Sequence, residues 1–393
     1  MKVLQINSVC GSGSTGKIAV DLYNLMKTRN IDCKIAYGRG TAKNIQNEDT
    51  IKIGNKSDIY LHAAASRLTD KTGFYSKKST RAFINEIKKY NPDIIHLHNI
   101  HGYYINVEIL FDYLRTCGKK IIWTLHDCWP FTGHCSYFDL CGCDKWQTSC
   151  GSCPQRGTYP KSYADNSENN YRLKKKIFTG IPNLTIVTPS EWLAGLVRKS
   201  FLSEYDTKVI NNGIDLSIFK PSPSDFRKAH GLEDKKIILS VANVWTVGKG
   251  FGDVLEFAKT VDDSYKIVMV GVDKDQKKNL PRNIIGIERT GSQQELAQLY
   301  SAADVFINPT YEDNYPTVNL EALACGTPIA VYDTGGCGEV VAGGCGRIAA
   351  KKTPAALLDA VNDIISSVKK PVESKKKLGV YENFEDYITL YNE

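Results

Sequence analysis

The chain has 393 residues, 12 cysteines and a formal net charge of +7, enough for two or three domains at the usual ~150 residues each. A composition 42% hydrophobic and 24% charged, with 31 Gly and 14 Pro, is that of a globular protein and excludes disulfide miniproteins, disordered tails and fibres. No apolar run approaches the ~20 residues of a membrane-spanning helix, and MKVLQINSVCGSG enters a strand at once instead of forming a signal peptide. A cytoplasmic, reducing location is the expectation.

From the N-terminus, short β-branched runs alternate with helical patterns. KVLQINSV, DCKIAYG, DIIHLH, KIIWTLH and LTIVTPS read as strands. Lys17–Lys27, Arg81–Tyr90 and Val107–Arg115 are amphipathic at helical spacing. Such βα repetition implies a parallel sheet. Asp127–Lys161 breaks the pattern, having no periodicity, many turn residues and six of the cysteines, so it is an irregular insertion that needs an anchor. Near VINNGIDLSIFKPSPSDF a strand ends in Asn-Asn-Gly and a Pro/Ser stretch follows, the expected join. KIILSVA, YKIVMVG, NIIGIER, DVFINP and PIAVYD then form a second strand set, with helices over Gly252–Thr260, Gln293–Ala302, Pro316–Cys325 and Pro354–Ser366.

The fold class is therefore α/β, with two Rossmann-like domains facing across a cleft. Residues 1–205 form the first domain, carrying the insertion at 127–161, and residues 206–372 form the second. Residues 373–393 form a C-terminal helix, with Phe384, Tyr387, Ile388 and Tyr391 at helical spacing, that returns to the first domain. Ligands in such sheets bind beyond the carboxyl ends of the strands.

The basic excess lies in RLKKKIF at 172–178 and VKKPVESKKK at 368–377, read as a solvated face and a linker and compatible with peripheral contact to an anionic membrane. Neither run interleaves aromatic residues as a nucleic-acid platform does, so no nucleic-acid partner is expected.

GSGSTGK at Gly11–Lys17 follows a strand and opens a helix. Ile18 stands where a nucleotide triphosphatase needs Ser or Thr for Mg²⁺, and no acid ends the second strand as dinucleotide binding requires. Gly13 and Ser14 remain small residues that let a helix N-terminus approach an anion or sugar. In NPTYEDNYPTVNLEALACGTPIAVYDTGG at 308–336, a strand ends, Glu312 and Asp313 occupy a turn, and Pro316 opens a helix stopped by Gly326. The N–H groups of Thr317 and Val318 then form a seat for a diphosphate, and Glu321 lies one turn further along, placed to accept from a ribose.

This segment, with VINNGID, GKGFGDVLEFA and SAADVFINPT, resembles the signature of family 4 retaining glycosyltransferases, which have the GT-B fold. The resemblance covers essentially the whole chain. It implies that Glu321 binds the donor ribose, that Glu312 or Asp313 takes the position approaching the transferred sugar, that Lys249 contacts the diphosphate, and that His126 contacts the donor sugar. The family's diphosphate Arg has no counterpart: Asn243, Val244 and Gly248 occupy that neighbourhood. It further implies transfer of a hexose from a UDP- or GDP-sugar to a glycan or lipid-linked glycan acceptor in surface polysaccharide synthesis, at the inner face of the membrane and without a catalytic metal. Alternatives are a dinucleotide-dependent enzyme and a non-catalytic polyanion-binding protein.

His96, His98 and His101 read as core and polar wall rather than as metal ligands. Cys135, Cys143, Cys150 and Cys153 end in C-x2-C, with Cys128, His134 and Cys141 close by, and suggest a structural zinc; free or disulfide-bonded cysteines and an iron–sulfur cluster are the alternatives.

Overall fold

The computed structural model describes residues 1–341, 344–367 and 378–393; the basic run at 368–377 lies outside the described residues. Among the described residues the strands are β1 Lys2–Asn7, β2 Asp32–Tyr37, β3 Thr50–Lys52, β4 Ile94–Leu97, β5 Lys120–Thr124, β6 Leu184–Thr188, β7 Thr207–Val209, β8 Lys236–Val241, β9 Tyr265–Val270, β10 Ile284–Ile287, β11 Val305–Asn308, β12 Ile329–Val331 and β13 Gly346–Ile348. The helices are α1 Gly13–Thr28, α2 Lys56–Thr69, α3 Lys77–Tyr90, α4 Val107–Thr116, α5 Ser167–Phe178, α6 Glu191–Lys199, α7 Phe226–Ala229, α8 Phe251–Ala258, α9 Lys274–Lys278, α10 Gln293–Ala302, α11 Thr317–Ala324, α12 Pro354–Ser367 and α13 Val380–Asn392.

Two compact units result. Met1–Asn211 with Phe384–Glu393 form the first, and Asn212–Asn383 the second. The first contains a parallel sheet ordered β3-β2-β1-β4-β5-β6-β7, the second a parallel sheet ordered β10-β9-β8-β11-β12-β13. Near-continuous apolar runs suit strands covered on both faces by crossover helices: β4 and β11 are buried at every residue. In each sheet the order reverses beside its first strand, between β1 and β4 and between β8 and β11. Loops leaving those strand ends diverge and open a crevice.

The break between units falls after Asn211 rather than after residue 205, because Thr207–Val209 extends the first sheet by pairing with β6. Helix α1 starts at Gly13, earlier than the expected Lys17, so the glycine loop itself forms the first helical turn. The run at 172–178 lies on α5. Its Arg172, Lys175 and Lys176 are exposed, but Lys174 is buried, a correction to its reading as a solvated face. Phe384–Glu393 packs in the first unit, where Tyr391 and Tyr387 reach His96 and Thr124. The insertion at 127–161 has two short 3-10 turns and adds its aromatic residues to the first unit's core, with Trp146 stacked on Phe138 and tilted against Phe131.

Candidate functional site

The second unit's crevice is built by the loops after β8 and β11. Gly250 at φ +72° lets the first loop pass the carbonyl of Pro309, which a Cβ would meet at 2.1 Å. The N–H of Tyr311 and the hydroxyl of Thr310 both donate to the carbonyl of Gly248, at 2.8 and 3.1 Å, tying the two loops together. Lys249 is thereby set beside the acidic turn: its Nζ lies 2.6 Å from Asp313 Oδ2 and 3.1 Å from the Glu312 carbonyl. Burial works against the ammonium, but the Asp313 carboxylate outweighs it and holds Lys249 above the ordinary lysine range. Glu312 turns the other way, its carboxylate lying over Gly248, where a Cβ would come within 2.9 Å of Oε2. The two acids thus occupy different positions. Asp313 holds the lysine, and Glu312 covers the glycine turn.

Helix α11 follows directly, with Pro316 as its N-cap and no side chain capping its first N–H groups. Thr317 and Val318 are partly exposed there, and the partial positive charge of the helix start points out of the first turn. Glu321, one turn in, is 6% exposed and receives the Tyr300 hydroxyl at Oε2, 3.1 Å away. Lys249, Glu312, Asp313, Thr317, Val318 and Glu321 therefore belong to one switch-point site, with Tyr300 as an added positioning group. Tyr300 carries no motif; only its helical register on α10 could have suggested it.

The first unit presents a line of polar side chains across its strand ends. Gln5 Nε2 donates to the Ala19 carbonyl at 3.0 Å, which leaves Oε1 to accept from His98 Nε2 at 2.9 Å. His98 Nδ1 is then the acceptor toward His126 Nε2, 3.1 Å away, so His126 carries its proton on Nε2 and keeps a lone pair on Nδ1. Burial pushes His126 down to about 4 and His98 well below the usual range, so both rings are neutral near pH 7. Next to His126, burial opposes the charge of Asp127, but His101 Nε2 at 2.9 Å and the N–H of Trp129 at 3.0 Å hold the carboxyl below its ordinary value. Gln5, a polar residue between Leu4 and Ile6 in β1, was the readable signal for this relay. His96 bonds Tyr391 and Thr124, and His98 bonds Gln5 and His126, so both act as polar core. Gly13 and Ser14 are exposed at the start of α1, which has no acidic residue in its first turn.

In the insertion, Cys135, Cys143, Cys150 and Cys153 line one small pocket together with His134. Cys135 and Cys153 are in thiol hydrogen-bond contact. As the side chains stand, no three His, Cys, Asp or Glu groups among the described residues converge closely enough to hold a metal ion.

Residues 16–218 match the description Glycosyltransferase Family 4, and residues 223–379 match Glycosyl transferases group 1. The first match alone spans over half of the chain. The chain belongs to glycosyltransferase family 4. This glycosyltransferase is 23% identical over 365 residues to WcaC of Escherichia coli (strain K12), named as a colanic acid biosynthesis glycosyl transferase, with 87% of this chain and 85% of that protein covered. It is 29% identical over 160 residues to the N,N'-diacetylbacillosaminyl-diphospho-undecaprenol alpha-1,3-N-acetylgalactosaminyltransferase of Campylobacter jejuni, covering 38% and 42%. Among solved structures, a glycosyltransferase from Rickettsia africae superimposes with a TM-score of 0.67 at 16% identity, covering 100% and 97%. Anabaena HepE in complex with UDP-glucose gives 0.62 at 15%, covering 100% and 95%. The glycosyltransferase thus has the GT-B fold, as its sequence resemblance implied.

Proposed function

We propose that this glycosyltransferase moves a hexose from a nucleoside diphosphate sugar to a glycan or lipid-linked glycan acceptor, with retention of anomeric configuration, in surface polysaccharide synthesis. One observation carries the reading: a lysine, an open helix N-terminus and a buried, tyrosine-held glutamate meet at the switch point of one sheet. Those groups complement a nucleoside diphosphate, the cationic ones facing its phosphates and the carboxylate its ribose hydroxyls.

In this reading the N–H groups of Thr317 and Val318, with Lys249, stabilise the charge that develops on the departing diphosphate. The family's additional Arg being absent, Lys249 and the helix start carry more of that charge. To reach a phosphate, Lys249 must share or leave Asp313. Glu321 accepts from the ribose hydroxyls, and its hydrogen bond from Tyr300 fixes the carboxylate before the donor arrives. Glu312 or Asp313 orients the sugar. His126, neutral at the end of the relay, contacts the donor sugar, and Gly13 and Ser14 offer the start of α1 to phosphate or acceptor. The names of the Escherichia coli and Campylobacter jejuni relatives support a polysaccharide or lipid-linked acceptor, and HepE's complexes support a UDP-sugar. A cytoplasmic, peripheral location belongs to the same proposal; no described helix is long and apolar enough to cross a membrane.

Proton NMR of slow donor hydrolysis without acceptor tests the retaining step. From an α-linked donor the α-sugar is expected first, mutarotating later. Initial release of the β-sugar would contradict retention.

A further inference from the structure

The cysteine insertion takes no part in the proposed transfer, yet its side chains line a pocket of defined chemistry. The thiols of Cys135, Cys143, Cys150 and Cys153 line it, with Phe138 and Trp146 as apolar walls. Cys135 and Cys153 already touch through their sulfurs, and Cys150 Sγ accepts the Gly133 N–H at 3.1 Å. A second observation points to a bound cation. His134 lines the same pocket, is 2% exposed, and has Nδ1 engaged by the Asp70 carboxylate, while its buried Nε2 has no hydrogen-bond partner. Asp70 is itself held, since the Asn166 N–H donates to its second oxygen at 2.9 Å. A carboxylate fixing one imidazole nitrogen while the other faces soft ligands is the arrangement found around protein zinc, and an orphaned buried nitrogen is costly without such a neighbour.

We propose that this pocket binds one structural Zn²⁺ through His134 Nε2 and the thiolates of Cys135, Cys150 and Cys153, with Cys143 on the pocket wall. Zinc takes three thiolates and one imidazole nitrogen tetrahedrally, sulfur at about 2.3 Å and nitrogen at about 2.0 Å, so binding replaces the Cys135–Cys153 thiol contact and draws the three sulfurs toward His134 Nε2. The excess negative charge has partners in place. Lys174, buried under the insertion, donates to the carbonyls of Trp129 and Thr132 at 2.8 and 3.0 Å, and Lys145 holds the Gly151 carbonyl at 3.0 Å. Each thiol that binds gives up its proton to solvent, and no oxidant is required. The ion anchors a segment with little regular structure of its own, so its affinity is folding free energy for the insertion.

The proposal is independent of the donor chemistry. Metal analysis of the full chain, purified without added zinc or chelator, is expected to give one zinc per chain. Cys150→Ser and Cys153→Ser are expected to lose it; Cys117→Ser and Cys141→Ser are expected to keep it. Co²⁺ added to the stripped protein is expected to give intense sulfur-to-metal absorption and d–d bands of tetrahedral form. Because the Ser variants can fail through misfolding, the wild-type result stands by itself. A folded wild-type chain that contains no zinc and takes up neither Zn²⁺ nor Co²⁺ would overturn the proposal, as would a Cys135–Cys153 disulfide in peptides mapped without reduction.

Discussion

At the level of single residues, the second unit separates two acids that the sequence leaves equivalent. Asp313 is committed to Lys249 at 2.6 Å, whereas Glu312 lies over Gly248. Lys249→Ala removes one of few charges available to the leaving group, and kcat is expected to fall by roughly 10²–10³, the usual effect of losing one such donor. Tyr300→Phe leaves Glu321 in place but frees its carboxylate to rotate. A rise in donor KM of roughly fivefold, about 1 kcal/mol, is expected with kcat nearly unchanged. Steady-state kinetics separates the two effects, and an equal loss of kcat in Tyr300→Phe would contradict a positioning role. In the first unit, His98→Leu removes the acceptor that sets the His126 tautomer; kcat is expected to drop by roughly tenfold while donor affinity, measured by titration, is retained.

The elements show which parts of the fold were legible in the sequence. Helix α11 was readable from Pro316 and Gly326, because these residues act on the backbone itself. Helices α2 and α6 were not read, since their signals are local caps rather than long apolar stripes: Asn55 and Asp58 form a reciprocal capping box at α2, and Ser190 caps α6. Lys174 was misread because charge predicts exposure, whereas the pairing that lets it be buried, two carbonyls and the face of Trp129 at 3.5 Å, comes from distant parts of the chain. The relay from Gln5 to His126 was only partly legible for the same reason. Its members lie on β1, just after β4 and just after β5, and only the strand order makes them neighbours. The C-terminal helix carries an expectation of its own. Tyr391→Phe leaves His96 Nδ1 buried without its 2.7 Å partner, and a destabilisation of about 1–3 kcal/mol is expected in chemical denaturation; an unchanged midpoint would contradict tight docking of Phe384–Glu393 on the first sheet.

For the molecule as a whole, buried histidines set the response to acid. Burial pushes His62 and His96 down to about 3 and His126 down to about 4. In the unfolded chain each takes up a proton near pH 6.5, so below that value the unfolded state binds more protons than the folded one. Stability therefore falls as pH drops from about 6.5 toward about 4, by up to about 1.4 kcal/mol per pH unit for each histidine. Melting followed across this range is expected to show a steadily falling Tm, with a shallower slope in His62→Gln; a flat Tm from pH 6.5 to 4.5 would contradict neutral burial.

The central claim concerns the second unit, where the charges of Lys249, the start of α11 and Glu321 are matched to a nucleoside diphosphate. A thermal-shift titration against UDP-, GDP- and ADP-hexoses tests it most directly. Wild type is expected to be stabilised by at least one of them, with the shift abolished by Glu321→Ala and weakened by Lys249→Ala, while both variants still unfold cooperatively without ligand, Glu321→Ala at a lower Tm because the buried Tyr300 hydroxyl loses its acceptor. No stabilisation by any of these donors, or an equal shift in Glu321→Ala, would contradict it.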